Sequence, residues 1–482
     1  MSVVFTLPYN HFIMVTLHSK VAVFALSTTL VSAAQIPLFN PRPASHSEGY
    51  KFNPLLHLPG ISPYFDAIGS GLSHEAPRNC EVTAASYLVR HGAIYANDND
   101  YEKFMEPFIK KLNQTDNGKT REGWTGPLAF FADWKNPIDN PKKQLEEITP
   151  QGKIDATNVG KHLLQRYPKI IPTTKKIYSD TKSRTQDTAI AFVKSFKQDI
   201  ELIQVDDSHT SFHAQNPHKA CKAFSKEPGD FELEQWMLKY TKPIVARLQQ
   251  FSPVELEERD MMGLQQWCGY ESAITGKVSK ICDVFSDNEW MEYEYGWDMK
   301  YNAMVGHGNP LSPYLGFPWL NTTEHLFRQF HKPRHHASTN AAKDDDGQRF
   351  FVSFTHREVP PFIATALGLF NSSSTQAETF PMDKVNWSRA WKMAELIPFL
   401  GHVGMELLTC NFASNNPEDD QAYIRIIANS APRPIPVCSN GPGASCEFDE
   451  FSKLVKEGMH IYGDFDKVCK NKKKKDKVNP EL

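Results

Sequence analysis

Residues able to do chemistry fall in three short clusters. Arg90-His91-Gly92 follows the run VTAASYLV (82–89), Arg184 closes YSDTKSR (178–184), and His356-Arg357-Glu358 follows RFFVSFT (349–355). Two arginines, two histidines and a carboxylic acid suit a phosphate monoester. Each guanidinium presents a planar fork of donors that matches phosphate oxygens and stays charged at any relevant pH. Imidazole can attack phosphorus and split hydrolysis into two steps through a phosphoenzyme. A carboxylic acid can protonate the departing alkoxide. Arginines and a protonated histidine would neutralise the transferring group, so this chemistry calls for no metal and no cofactor. Alone, Arg90-His91-Gly92 would be an ordinary loop, Arg184 a surface ion pair and His356 a satisfied strand-end histidine. Only a shared location would make them a site.

The surrounding pattern predicts such a location. VTAASYLV is continuously apolar and predicts a buried strand. A helix follows, with Tyr101, Phe104, Met105, Phe108 and Leu112 on one face. Thr149 can cap a second helix that Pro150 opens, its inner face being Ala156, Val159, Gly160, Leu163 and Tyr167. KKIYSD (175–180) predicts a short strand, and the helix after TKSR is expected to bury Ala189, Phe192, Val193 and Phe196. RFFVSFT predicts a third strand, with Pro360 and Pro361 starting the next helix. Three times the chain reads strand, reactive residues, helix. In open α/β sheets ligands bind beyond the carboxyl ends of the strands. Arg90, His91, Arg184, His356 and Glu358 are therefore expected to converge on one cleft. The α/β domain is expected in two segments, 75–200 and 345–470. Residues 201–344 lack clear strands, and patches such as FELEQWMLKYTKPIVARLQQF (231–251) predict a mainly α-helical insertion, a smaller domain beside the sheet.

Composition narrows the partners. With 40% apolar and 23% charged residues, 482 residues can build a sizeable core, which excludes global disorder. A net charge of -3 gives no reason to expect nucleic acid. The basic tail at 471–482 reads as a solvated end. No stretch approaches ~20 uninterrupted apolar residues, so no membrane span is expected. VAVFALSTTLVSAAQ (21–35), preceded by Lys20, has the layout of a secretory signal peptide over residues 1–34, with Met1 or Met14 as the start and cleavage near Ala33 or Ala34. The product is then secreted, to the extracellular space, a cell wall or a vacuole. On that route eight cysteines without a CxxC pair favour four disulfides over thiols or zinc. Sequons at Asn113, Asn321, Asn371 and Asn386 agree with N-linked glycans.

Five landmarks carry a resemblance: LVRHG (88–92), ITPQGKIDATNVGKHLLQRY (148–167), YSDTKSRTQDTA (178–189), GHGNPLSPYLGF (306–317) and FTHREVPPFIATALGLF (354–370). In this order, over residues 80–470, they resemble the histidine acid phosphatases. That is the branch of the histidine phosphatase superfamily which includes fungal phytases and multiple inositol polyphosphate phosphatase. The resemblance implies a phosphoglycerate mutase-like sheet flanked by helices, with a smaller inserted α-helical domain. It implies His91 as nucleophile and Arg90, Arg184 and His356 as phosphate ligands. It also implies the disulfides Cys80–Cys410, Cys221–Cys469, Cys268–Cys282 and Cys438–Cys446, which spacing alone could not choose from roughly a hundred pairings.

Two departures from the family pattern matter. Its RHGxRxP motif here has Ile94 and Ala96 in place of arginine and proline. One charge-assisted donor is lost, about 1.5–3 kcal/mol of interaction. The family's His-Asp pair here reads His356-Arg357-Glu358; Glu358 falls on the glutamate of the His-Ala-Glu found in the inositol polyphosphate phosphatase branch and is the implied proton donor. Arg357 is a candidate to replace the charge missing at Ile94, the competing reading being a surface ion pair. The expected function is a secreted acid phosphatase acting on small phosphate monoesters, phytase-like in family, through a phosphohistidine. An acidic optimum follows if Glu358 must be protonated and His356 charged. The alternative, motivated by Ile94 and Ala96, is a non-catalytic or repurposed member that binds a phosphorylated ligand. Phosphoryl transfer between hydroxyls is disfavoured by the signal and the cysteines.

Overall fold

The computed structural model describes residues 52–116, 121–205, 214–331, 347–372, 380–412 and 420–471; the expected signal peptide and nearly all of the basic tail lie outside these ranges. Strand β1 (Cys80–Arg90) is buried on both faces from Ala84 onward, as its unbroken apolar run requires. It lies inside a mixed eight-stranded sheet. Its parallel neighbour is β4 (Phe350–Thr355) and its antiparallel neighbour is β5 (His402–Cys410). Strand β2 (Lys176–Asp180) runs parallel to β4 on the far side, and β6 (Gln421–Ala428) continues the sheet beyond β5. Arg90 pairs with Thr355 and Tyr178 with Ser353, so Asp180, two residues on, is level with Thr355. The three strands therefore end along one edge, and each hands its reactive residues to the same place.

Helices cover both faces. On one side α2 (Pro150–Arg166) and α3 (Ser183–Val193) pack Ala156, Val159, Leu163, Ala189 and Phe192 against Tyr87, Val89, Phe350 and Phe354. Thr149 caps α2 by accepting from the Gly152 amide, with Pro150 in the first turn, as expected. Val193 is only half-buried, and Phe196 is buried beyond the end of α3. The helix expected after His91 is present. Its π-wound turn Tyr101–Met105 leads into α1 (Glu106–Asn113), and all five of its apolar positions are buried.

On the other side lie α4 (Asp230–Leu248), α5 (Glu258–Thr275), α6 (Asp287–Val305), α7 (Ser312–Phe330) and α8 (Val359–Ala366). Their apolar residues join those of β5 and β6 in one continuous core. The expected insertion boundary at residue 201 needs correction. Glu201–Val205 is β3, an edge strand paired in parallel with β2, and the helical part begins after it. ELIQV hides because only its last residue is buried, so its alternation is weak.

All four disulfides form in the pairings the family resemblance implies. Cys80–Cys410 joins directly paired residues at the outer ends of β1 and β5. Among the sequons, Asn113 and Asn371 are exposed and Asn321 and Asn386 half-buried. Among the described residues no helix is long and apolar enough to cross a membrane.

Candidate active site

His91 extends β1 by one residue, and its main chain is fixed on both sides. Its amide donates to Thr355 O (3.0 Å), and its carbonyl accepts from Leu400 N (3.2 Å). The next amide, Gly92 N, donates to Thr188 Oγ1 of α3 (2.9 Å). A side chain at Gly92 would meet the Gly152 carbonyl at 2.8 Å, because the first turn of α2 presses on this loop. The His91 ring is thereby aimed. Its Nδ1 lies 2.9 Å from the Gly92 carbonyl oxygen. A carbonyl only accepts, so Nδ1 holds the proton and Nε2 keeps its lone pair. Burial first, then the charges of Arg90 and Arg184 and the neighbouring His356, push the imidazole well below its ordinary value. The ring is therefore neutral and nucleophilic.

Two guanidinium groups and a second imidazole, which burial pushes below its ordinary value despite Asp180, lie around it. Arg90 is 2% exposed; Nη1 donates to Ile397 O (2.7 Å) and the guanidinium lies 4.4 Å from the Phe399 ring centroid. Arg184 Nη1 pairs with Glu146 Oε2 at 2.8 Å. In both arginines Nε is buried without a hydrogen-bond partner among the described residues, which suits donors whose acceptor is a ligand. The His356 ring lies 5.7 Å from that of His91. Its Nε2 bonds Asp180 at the end of β2, which also accepts from Thr185 Oγ1, from Lys182 N (3.1 Å) and from Lys219 Nζ (3.0 Å). Burial alone would raise the Asp180 carboxyl, but His356, Thr185 and Lys219 outweigh it and keep it ionised. Asp180 thus holds the His356 tautomer and orientation.

Beyond His356 the chain turns into α8, carrying Arg357 and Glu358. Arg357 is not on the surface: its side chain is 15% exposed, and Nη1 lies 3.4 Å from Asp100 Oδ2, which Tyr270 OH also bonds at 2.9 Å. Burial, followed by the charge of Arg357, lowers Arg90 to about 10, so the two guanidinium groups share one electrostatic environment. Ile94, by contrast, is 3% exposed, bridges Ile148, and belongs with Ala96 to the apolar core. Glu358 is 2% exposed; Oε1 lies 2.8 Å from Lys226 Nζ, and Oε2 lies 4.0 Å from His218 Nε2. Burial alone would raise this carboxyl, but Lys226, His218, Arg357 and His356 together hold it well below its ordinary range. At rest the implied proton donor is a carboxylate.

At one sheet edge His91 lies in the field of Arg90, Arg184 and His356, and Glu358 in that of Arg357, His356 and Arg90, so a chain of interactions links all six. Sequence reasoning missed Asp180, Glu146, His218 and Lys226. Asp180 was readable, since it ends the strand KKIYSD where the other clusters end theirs. His218 and Lys226 come from the irregular stretch before α4, which has no periodicity to place them.

The family model of the histidine phosphatase superfamily, branch 2, matches residues 81–429. The chain is similar to an acid phosphatase of Komagataella pastoris (26% identical, over 89% of each chain) and to a phytase of Candida albicans (25%, over 87% of each). Its fold is similar to that of the D. castellii phytase, with a TM-score of 0.74 at 21% identity over 89% of this chain and 91% of that one. The multiple inositol polyphosphate phosphatase of Bifidobacterium longum is a more distant structural relative, at a TM-score of 0.56 and 12% identity over 83% of this chain and 97% of that one. A matched family model over most of the chain, the same fold, and a histidine poised at the end of β1 lead to one assignment: the chain belongs to the histidine phosphatase superfamily, branch 2.

Proposed function

We propose that this chain is a secreted histidine acid phosphatase that hydrolyses small phosphate monoesters through a phosphohistidine on His91. His91 Nε2 attacks phosphorus in line with the leaving oxygen; an N–P bond forms as the P–O bond breaks. Arg90, Arg184, His356 and, in place of the arginine absent at Ile94, Arg357 take the phosphoryl oxygens. Glu358, once protonated, passes its proton to the departing alkoxide. Its carboxylate then takes a proton from the water that hydrolyses the phosphohistidine. The four formed disulfides support an oxidising route, and the four sequons would carry N-linked glycans. Acid phosphatases and phytases among the relatives keep phytate within the substrate class.

The observation that carries this reading is the bond from His91 Nδ1–H to the Gly92 carbonyl, which leaves a lone pair on Nε2 in the field of the Arg90 and Arg184 guanidinium groups. The test is steady turnover of p-nitrophenyl phosphate at about pH 3 to 6, with acid-labile, alkali-stable phosphate trapped on the protein. His91→Ala should abolish both; undiminished turnover in that variant refutes the proposal. The second reading, a phosphate-binding protein without turnover, draws on Ile94 in the core and on Glu358 held as a carboxylate. It predicts that inorganic phosphate raises Tm while no product appears.

A further inference from the structure

Lys226 reaches Glu358 from a loop that a second lysine pins in place. The buried Lys300 of α6 directs Nζ at the main-chain carbonyls of Lys226 and Pro228 (3.1 Å for the latter) and pairs with Asp230 Oδ1 at 2.6 Å. Between them Gly229 turns with φ of +85°, its α-hydrogen side against Lys300 Cα, where a side chain would come within 2.9 Å. The loop 226–229 therefore has one path across α6, and that path sets the Lys226 ammonium 2.8 Å from the buried Glu358 carboxylate. The rest of the Lys226 side chain lies in solvent, 60% exposed.

Charged and titratable groups from several elements lie round Glu358. His218 comes from the short helix Pro217–Ala220, with Nε2 at 4.0 Å and Nδ1 buried without a hydrogen-bond partner among the described residues. Arg357 (Nε at 3.9 Å) and His356 come from its own turn. Arg90 of β1 and Tyr301 of α6 also lie in its field. Of these, Lys226 makes the nearest contact. It is also the one that neither belongs to the proposed phosphate cradle nor is buried. We propose that Lys226 is a positioning residue which, through its ion pair with the Glu358 carboxylate, governs how far from acid pH the enzyme can protonate an alkoxide leaving group. The inference rests on Glu358 being the general acid. An ammonium at that distance favours the ionised carboxyl over the protonated one. Protonated Glu358 then becomes scarce at a lower pH than it would without Lys226, and the alkaline limb of kcat falls early.

The test uses the whole glycosylated protein and two substrates. Glycerol 2-phosphate leaves as an alkoxide and needs the proton; p-nitrophenyl phosphate leaves as a stabilised phenolate and scarcely does. Lys226→Met should move the alkaline limb of kcat for glycerol 2-phosphate upward by about one pH unit or more, and should move it much less for p-nitrophenyl phosphate. Lys226→Arg keeps the charge and should keep the wild-type limb. A Lys226→Met profile that superimposes on wild type with glycerol 2-phosphate overturns the inference. So does an equal shift with both substrates, since Lys226 would then act on phosphate binding or on His356. Glu358→Gln separates the two levels. If it turns over glycerol 2-phosphate at the wild-type kcat, the assignment of Glu358 as acid has failed. If it is crippled while Lys226→Met shows no shift, only the role of Lys226 has failed.

Discussion

Arg357→Ala asks whether this chain's two departures from its family cancel. Arg357 stands beside Arg90 in a buried setting, where its charge helps lower Arg90 to about 10. Keeping two guanidinium groups together is costly without an anion, and among the described residues the carboxylates paired with Arg357 are Asp100 at 3.4 Å and Glu358 at 3.9 Å. A phosphoryl group carrying two negative charges would offset that cost. One charge-assisted donor to it is worth about 1.5–3 kcal/mol. At about 1.4 kcal/mol per decade, Arg357→Ala should lower kcat/KM by about 10- to 150-fold. Inhibition by inorganic phosphate should weaken in parallel. Asp100 keeps its bond from Tyr270, so the loss should not come from misfolding, and an unchanged Tm would confirm this. Arg357→Lys keeps a point charge without the fork and should fall between. A kcat/KM for Arg357→Ala within about threefold of wild type would refute the reasoning, as that is under half the smallest expected contribution. Arg357 would then be a structural partner of Asp100.

Ile94→Arg, which restores the arginine of the family motif, should lower Tm without raising activity. Its side chain would enter an apolar core at a 3% exposed position, in a site Arg357 already charges; thermal denaturation and initial rates check both halves. Asp180→Asn removes the anion that orients His356 and should cost about 10- to 100-fold in kcat, with a smaller change in KM. Stability should fall as pH drops from about 6.5 to 4. Buried His402 donates from Nδ1 to Leu400 O and accepts at Nε2 from Ser430 N, so only its neutral form fits, and burial first of all pushes it down to about 4. A folded value below the unfolded one, about 6.5, means that its stabilisation is complete above pH 6.5 and lost on acidification. The loss is of order 3 kcal/mol by pH 4. Calorimetry across that range should show Tm rising with pH, and His402→Gln should flatten the rise.

Much of the site was legible because it obeys topology. Arg90 ends a strand and Arg184 and His356 each follow one, and parallel pairing of β1 with β4 and of β4 with β2 turns that repeated order into proximity. The strands themselves were legible where both faces are buried, as in β1, since an unbroken apolar run has few other uses. β3 was not, because an edge strand buried at one residue leaves no pattern. The direction of Arg357 was equally hidden. Neighbouring residues in a turn can point anywhere, and only the placement of Asp100, Tyr270 and Tyr301 around it decides that it faces inward. Lys226 carried no signal at all: its placement comes from Lys300, seventy-odd residues later, holding its carbonyl.

A common rule runs through these pairings. In the cleft Arg184 is matched by Glu146, Arg357 by Asp100, Lys219 by Asp180 and Lys226 by Glu358. Such pairing compensates the buried Asp100, Asp180 and Glu358 carboxylates in the absence of a ligand, since an unpaired buried charge is costly. It also means that a phosphoryl group enters by competing with carboxylates already in place. The partners are unequal in this contest. Asp180 is bound by four donors and cannot leave, which suits a residue that orients His356. Glu358 is held by one solvent-exposed lysine at close range, and protonation is what frees it. With Glu358 as the proposed proton donor, the same event that loosens the Lys226 pair would arm the acid. That coupling would tie an acidic working range to this arrangement of charges, independently of the intrinsic reactivity of His91.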